Sequence, residues 1–572
     1  MAVEKLIVDH IDTWTTARQT RSTAGRGSSG KIDLYGIKKL RELILELAVR
    51  GKLVPQDSND EPASELLRGM KKQQEDLIKE KKIKKPKKLP PIDEILESIS
   101  IPQGWELCYL NDIGDWGAGA TPNRTNSGYY GGNIPWFKSG ELSEDYITDS
   151  EEHITALALK ECSLRDNQPG DVLIAMYGAT IGKTSILNTR STSNQAVCAC
   201  TPFDGLSNQY LLTFLKASKR VFTSMGAGGA QPNISKEKIV ATQFALPPLK
   251  EQLRIVEKVE QLMSLCDQLE QHSLTSLDAH QQLVDTLLTT LTESQNADEL
   301  AGNWARISEH FDTLFTTEAS IDALKKTILQ LAVMGKLVPQ DPNDEPASEL
   351  LKRIAQEKAQ LMKDGKIKKQ KQLPPIGDEE KPFELPDGWE WCRIGNLVNI
   401  RPELVAPDEY QSLPQIAPDI IEKGTGKVTA KRTVKESGVK GPNSRFYKGQ
   451  IVYSKIRPSL SKAFLAEYDG LCSADMYPLD CFIDRSYLLK SILSEFFLIQ
   501  VRQAENRIKM PKLNVESFSN ILVTVPPSNE QQKIIMKLAA IDAFCDKAKS
   551  LIQSAQQTQL HLAGALTDAA IN

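Results

Sequence analysis

Apolar residues at Ile37, Leu40, Leu43, Ile44, Leu47 and Val49 recur at helical spacing, and Gly51 follows where a helix ends. The spacing predicts one helix here and a second opening after Pro62 at the run ASELL (63–67). The block from Leu40 to Glu106 then returns at Leu324 to Glu390 without insertion or deletion. LAVRGKLVPQDSNDEPASELL (47–67) becomes LAVMGKLVPQDPNDEPASELL (331–351). Gly51 pairs with Gly335, Pro90 with Pro374 and Trp105 with Trp389, a constant offset of 284. Solenoid units run to roughly 20–50 residues, so a period this long describes two whole domains with their connectors.

After IPQGWE (101–106) and LPDGWE (385–390), short β-rich runs broken by Gly, Asn and Pro predict strands. Examples are GDVLIAMYG (170–178) and GQIVYSKIR (449–457), now offset by 279, so the second copy is five residues shorter between about 106 and 170 of the first copy's frame. Identity falls sharply, yet Lys183 still aligns with Lys462 and Pro232 with Pro511. Constant connectors around divergent globular regions imply that the divergent parts discriminate something.

Both regions close on a proline pair and a charged helix start, LPPLKEQLRIV (246–256) and VPPSNEQQKII (525–535). Steps of three and four then link Ile255, Val259, Leu262, Cys266 and Leu269, resuming at Leu283 and Leu287 after Ser273, Ser276 and His280. The second series runs Ile534, Leu538, Ile541, Cys545, Ala548, Ile552 and Ala555, then Leu562, Leu566 and Ala569. A 3.5-residue repeat predicts a coiled-coil seam, on helices about 60 Å long at 1.5 Å per residue. Two ordinary buried helices in separate domains are the alternative. The expected architecture is α/β (α+β): two mixed globular regions separated by long antiparallel helices in a pseudo-two-fold repeat. The expected boundaries are 1–100, 101–248, 249–384, 385–527 and 528–572.

At 572 residues, with 40% hydrophobic and 25% charged positions, the composition is that of a globular chain of several folding units. No apolar run reaches the about 18 residues of a membrane span, and MAVEKLIVDHIDTW lacks the build of a signal peptide. The segment RQTRSTAGRGSSGK (18–31) reads as a flexible linker. Nine cysteines are scattered and never spaced CxxC; Cys198 and Cys200 share a strand face without making a metal site. A reduced, cytoplasmic location is expected. The net charge of −4 gives no global basic field, so any contact with phosphate depends on local basic surface.

YGATIGKTS (177–185) resembles a phosphate loop but has three residues between Gly178 and Gly182, where four are needed. The aligned IRPSLSKAF (456–464) has no glycine, so a tight exposed turn bearing Lys183 is expected instead. There is no HExxH, no Gly-rich cofactor fingerprint and no paired-Cys zinc pattern, and His153 and His310 stand alone. A catalytic set is therefore not expected. Polar and basic loop residues are the candidate contacts: Lys138, Tyr177, Lys183, Asn194 and Gln195 in the first region, beside the loop TPNRTNSGYYGG (121–132). The second region offers Lys455, Arg457, Lys462, Arg507 and Lys509, with Lys431, Arg432, Lys440 and Arg445 nearby in sequence. Lysine and arginine can meet phosphates, arginine can pair with guanine, and Asn or Gln with adenine. The lysine runs at 79–88 and 363–371 read as solvated faces.

Together, the duplicated LAVRGKLVPQ/LAVMGKLVPQ block, the two GWE starts, GDVLIAMYGATIGKTS and the two proline-pair exits resemble the specificity subunit of type I restriction–modification enzymes. The long N-terminal segment is similar to that of the type IB subgroup. The resemblance implies two target recognition domains, each reading one half of a split, asymmetric site on double-stranded DNA. It implies helices that set the spacer, two methylation subunits acting on adenines and two restriction (motor–nuclease) subunits. S-adenosylmethionine, ATP and Mg2+ would then belong to those partners, with no cofactor and no catalytic residue in this chain. From the residues alone, two rivals stay open: a two-domain protein–protein adaptor that never touches DNA, and a stand-alone nuclease or methyltransferase.

Overall fold

In a computed structural model of the chain, residues 3–21, 31–92, 101–226, 232–368, 371–504 and 512–571 are described. The chain divides into two compact units, Met1–Thr275 with Ala555–Asn572, and Ser276–Ser554. Among the described residues no helix is long and apolar enough to cross a membrane.

The first unit contains α1 (Tyr35–Val49) and α2 (Ala63–Lys79). Strands β1 (Glu106–Tyr109), β2 (Gly114–Ala118), β3 (Tyr130–Phe137), β4 (Tyr146–Ile147) and β5 (His153–Ile154) follow. Then come β6 (Val172–Ala175), β7 (Thr184–Leu187), β8 (Thr192–Ser193), β9 (Val197–Pro202), α3 (Asn208–Ala217) and β10 (Gln243–Leu246). The 45-residue α4 (Leu249–Glu293) leaves this unit for the next. A central sheet has the order β2-β9-β6-β7-β4, a side sheet the order β8-β3-β5, and β10 pairs with β1 where the chain enters and leaves the head.

The second unit repeats the plan. It holds α5 (Glu318–Val333), α6 (Ala347–Lys363), β11 (Glu390–Arg393), β12 (Val398–Ile400), β13 (Glu403–Val405) and β14 (Gln415–Ile416). Next are β15 (Asn443–Phe446), β16 (Ile451–Ser454), β17 (Ala463–Leu465), β18 (Gly470–Ser473) and β19 (Met476–Cys481). It closes with α7 (Arg485–Leu493), β20 (Leu522–Val525) and the start of α8 (Ser528–Ile571). The central order β12-β19-β16-β17 matches β2-β9-β6-β7, and β11 pairs with β20 as β1 does with β10. The side sheet does not match: it has four strands, β13-β15-β18-β14.

Several residues of the near-identical block close one collar at each head. Gly51 ends α1 at φ +64°, and a Cβ there would lie 2.5 Å from Pro102 Cγ and 3.0 Å from Trp105 Cζ2. Gly335 does the same at φ +74°, with Pro386 Cγ at 2.5 Å and Trp389 Cε2 at 3.3 Å. Only glycine fits this left-handed position at so close an approach. The Trp389 indole N–H donates to Glu530 Oε2 at 3.0 Å, and in the first collar Trp105 likewise faces Glu251. Burial pushes both carboxyls up, and the indoles partly offset it. Arg254 meets Asp60 at 2.6 Å, and Lys533 meets Asp344 at 3.3 Å. The glutamine after each glutamate accepts from the N-cap residue of α3 or α7: Gln252 from Ser207 N at 2.8 Å, Gln531 from Asp484 N at 3.0 Å. Thus the spacing of GWE and PPxxEQ is that of a hydrogen-bonded clasp joining the start of the head, its exit and the connector.

The repeat also reaches further than Leu40. Asp9-His10-Ile11-Asp12-Thr13-Trp14 corresponds to Glu309-His310-Phe311-Asp312-Thr313-Leu314 at an offset of 300. Each histidine carbonyl accepts from the residue four positions on, Trp14 N at 3.1 Å and Leu314 N at 3.0 Å. Both Trp14 and Leu314 are buried in their unit's core.

The long helices pass through the two units in opposite order, and each contributes to both apolar cores. The buried stripe of α4 corrects the predicted seam. Ile255, Val259, Leu262 and Cys266 are buried as expected, but Leu283 is 51% exposed and the core residues are Val284, Leu288 and Leu291. The 3.5-residue step continues through Ser273, which is buried, and His280, whose Nε2 lies 3.0 Å from the Leu314 carbonyl oxygen. Ser273 and His280 thus continue the packed face, whereas Ser276 is exposed and interrupts it as expected. In α8 the same one-residue offset appears, with Ala563 and Thr567 buried and Leu562 exposed.

Candidate nucleic-acid interface

The five candidates of the first head converge on one end of its central sheet. Met176 N donates to the Ala196 carbonyl at 2.8 Å, which sets Tyr177 beside Gln195. Asn194 N donates to the Phe137 carbonyl at 3.0 Å, which brings Lys138 alongside. Lys183 Nζ reaches the Gly140 carbonyl at 3.4 Å. Tyr177 is exposed, and Gln195 is exposed with its carboxamide oxygen accepting from the Thr121 hydroxyl. Asn194 spends its side-chain oxygen on Ala196 N at 3.0 Å, which shapes the turn. Lys138 is held by Glu152 at 2.7 Å, and the same carboxylate takes Arg124 at 2.7 Å. Lys138 and then Arg124 hold the Glu152 carboxyl below the usual range.

In the second head, Lys455 donates to the Ala474 carbonyl at 2.8 Å and lies over the Tyr477 ring at 5.2 Å. Arg457 is exposed. Lys462 bonds the Pro418 carbonyl; burial pushes its ammonium down, Asp419 opposes this, and neighbouring Arg457 adds to it. These three residues are also brought together. Arg507 and Lys509 lie outside the described residues.

Lys183 and Lys462 end one shared turn, although YGATIGK and IRPSLSK agree only at the lysine. Bridges Tyr177–Asn233 and Ile456–Lys512 fall at equivalent positions. Ala175 N donates to the Lys183 carbonyl at 2.8 Å, and Ser454 N to the Lys462 carbonyl at 2.9 Å. Gly178 (φ +62°) and Gly182 (φ +78°) are left-handed, and so are their counterparts Arg457 (φ +45°) and Ser461 (φ +49°). Among the described residues, these two and Lys81 are the non-glycine residues with positive φ. Such a conformation costs a residue with a Cβ about 1–2 kcal/mol, and the second head keeps it at two positions. The sequence expectation that the second turn departs from the first holds for its residues, and its backbone is the same.

At the side sheets, Arg124 of the loop 121–132 and Arg445, both within runs noted in the sequence, acquire aromatic partners. Arg124 lies 4.8 Å from the Tyr130 ring and 5.0 Å from the Trp136 ring. In the second head Arg445 lies 5.2 Å from Tyr410 and 4.9 Å from Tyr447, and Arg401 is over Tyr447 at 5.4 Å. Cation–π stacking of this kind fixes the guanidinium plane. Arg124 stacks on rings nearby in sequence and Arg445 on its neighbour Tyr447, whereas Tyr410 is brought to Arg445 by the fold.

No group of three or more His, Cys, Asp or Glu among the described residues could hold a metal ion. Cys198 and Cys200 are buried in β9, and burial pushes the Cys198 thiol up to about 12 and Cys200 higher than usual. They behave as small core residues. What the surfaces offer is donors: lysines and stacked arginines set among amides and hydroxyls, suited to phosphate oxygens and base edges.

Residues 102–279 and 386–556 match the family model of the type I restriction modification DNA specificity domain. The chain is 45% identical over 606 aligned residues to the type I restriction enzyme EcoAI specificity subunit of Escherichia coli, covering 100% of both chains. It is 43% identical over 628 to the EcoEI specificity subunit of the same organism, again covering 100% of both. A chain from a solved structure described as the structural basis of complex assembly and conformational transition of the type I R-M system shares 15% identity. That likeness covers 83% of this chain and 99% of the other, with a TM-score of 0.47. This chain belongs to the family of type I restriction–modification specificity subunits.

Proposed function

We propose that each head reads one half of a bipartite, asymmetric site on double-stranded DNA. As a type I specificity subunit the chain recognises the DNA target and is a non-catalytic component of its complex. The reading of one half-site per head is supported chiefly by one observation: closely similar collars and matching central sheets carry two unlike side sheets. Such a build presents two different surfaces on one frame, which is what two unlike half-sites require.

In this proposal the recognition domains span 101–248 and 385–527, joined by helical regions 1–100, 249–384 and 528–572. Lys138, Tyr177, Lys183, Asn194 and Gln195 contact DNA from the first head, with Lys455, Arg457, Lys462, Arg507 and Lys509 from the second. The chain joins two methylation and two restriction subunits in the cytoplasm, in the manner of the type IB subgroup. S-adenosylmethionine, ATP and Mg2+ are supplied on those partners, which perform adenine methylation and cleavage. Exchanging residues 105–246 for the head of a homologue tests the reading. One half of the target should change and the other stay. Loss of both halves, or change in neither, would reject one half-site per head; a complex selecting no DNA sequence would favour a protein–protein adaptor.

A further inference from the structure

The two heads share one part of their exposed surface and differ in another. The turn ending at Lys183 or Lys462 keeps its bridge, its ladder closure and both left-handed positions while six of its seven residues change. A backbone held constant in two readers of different sequences cannot by itself tell those sequences apart. Its one constant side chain is a lysine, and a contact common to every target is a contact to the phosphate backbone. The side sheets are the reverse case. They differ in strand number and order, yet each places an arginine between two aromatic rings, Arg124 in the first head and Arg445 in the second. Arg124 is also anchored by Glu152 at 2.7 Å while its side chain stays 54% exposed; Arg445 has Glu403 at 3.9 Å. A guanidinium held against ring faces, and in Arg124 also by a carboxylate, presents its remaining N–H edge in a fixed direction, the geometry that pairs with the O6 and N7 acceptors of guanine.

We infer that each head divides its DNA contact in two: the shared turn grips the phosphate backbone through Lys183 or Lys462, and the unshared side sheet reads a guanine through its stacked arginine, Arg124 or Arg445. The inference rests on the proposed reading of one half-site per head and adds which part of the head does the discriminating.

The test uses the full chain assembled with its methylation partners, selecting from a random duplex library. Arg124→Lys keeps the charge but cannot make the paired contact. It should relax one guanine position of the first half-site by roughly 5- to 150-fold and leave the second half-site intact. Arg445→Lys should do the converse. Replacing Ala179, Thr180 and Ile181, the middle of the turn, by the second head's sequence PSL should leave both half-sites unchanged. Lys183→Ala should weaken binding to all sequences alike and lower the salt dependence by about one phosphate contact. A half-site altered by the turn exchange, or unchanged by both arginine substitutions, overturns the inference while the two-part target stands. An unaltered complex that selects no sequence instead removes the reading beneath it.

Discussion

Trp389→Phe tests whether the collar holds a head in place energetically. The substitution deletes the indole N–H that meets Glu530 Oε2 at 3.0 Å, in a site where both residues are buried. Gln340 Nε2, at 3.3 Å from Oε1, is then the remaining side-chain donor to that carboxylate. A hydrogen bond to a charged group contributes about 1.5–3 kcal/mol, and the smaller ring leaves a void costing roughly a further 1 kcal/mol. The expected loss is about 2–4 kcal/mol. Its pH dependence follows from Glu530, whose folded value is raised by burial. Between the ordinary and the raised value the native state binds more protons, so this group's contribution is greatest at low pH and falls as pH rises through the raised value. The Trp389→Phe defect should accordingly be smaller near pH 4.5 than at pH 7.5, because a protonated Glu530 depends less on the lost donor. Adding Glu530→Gln should recover part of the loss at neutral pH. Urea titration with hydrogen exchange read on peptides of the second unit measures each value locally. A cost below about 0.5 kcal/mol, the range of ordinary surface substitutions, would show that the clasp does not stabilise the head.

Ser461→Gly places glycine at the left-handed position where the first head already has Gly182. Relief of strain outweighs the added chain entropy, so the second unit should gain about 0.5–1 kcal/mol in thermal unfolding; a loss would contradict strain there. Lys358 donates to the Gly395 and Val398 carbonyls at 2.8 and 3.1 Å, and burial pushes its ammonium down to about 8. Between that value and the ordinary 10.5 the unfolded chain holds the extra proton, so stability should rise with pH across this window. Lys358→Gln, matching Gln74 of the first copy, which donates to the Asn111 carbonyl at 3.0 Å, should flatten that rise; an unchanged slope would assign it elsewhere. Inserting four residues after Leu269, about one helical turn, should change the spacer accepted between half-sites and leave both half-sites alone. A changed half-site with an unchanged spacer would refute a spacing role for the helix.

What could be read from the sequence follows from how replaceable each residue is. Gly51, Pro102, Trp105 and Glu251 each do something in the collar that few other residues can, so their repetition was visible at once and located both heads. The shared turn was half hidden. Glycines at 178 and 182 signal left-handed backbone, whereas Arg457 and Ser461 adopt it against their preference because the surrounding bridge and ladder impose it. The stripe on α4 was misplaced at Leu283, whose apolar side chain is exposed while its neighbour Val284 is buried; Leu287 packs on the core as expected, and a hydrogen bond to Leu314 lets His280 sit on the packed face. The copy of residues 9–14 was hidden because the offset changes from 300 to 284 before Leu40. Arg124 and Arg445 lay within the polar and basic runs read from the sequence, but their stacking was not legible, since Tyr410 meets Arg445 only in the folded head.

The central claim is that one duplicated frame presents two different readers to one duplex. Selection from a random duplex library by the unaltered chain with its methylation partners tests it most directly. The account predicts two short, unlike blocks of specified bases separated by a spacer of fixed length and free sequence. A single contiguous block, or two blocks at freely varying separation, would contradict it.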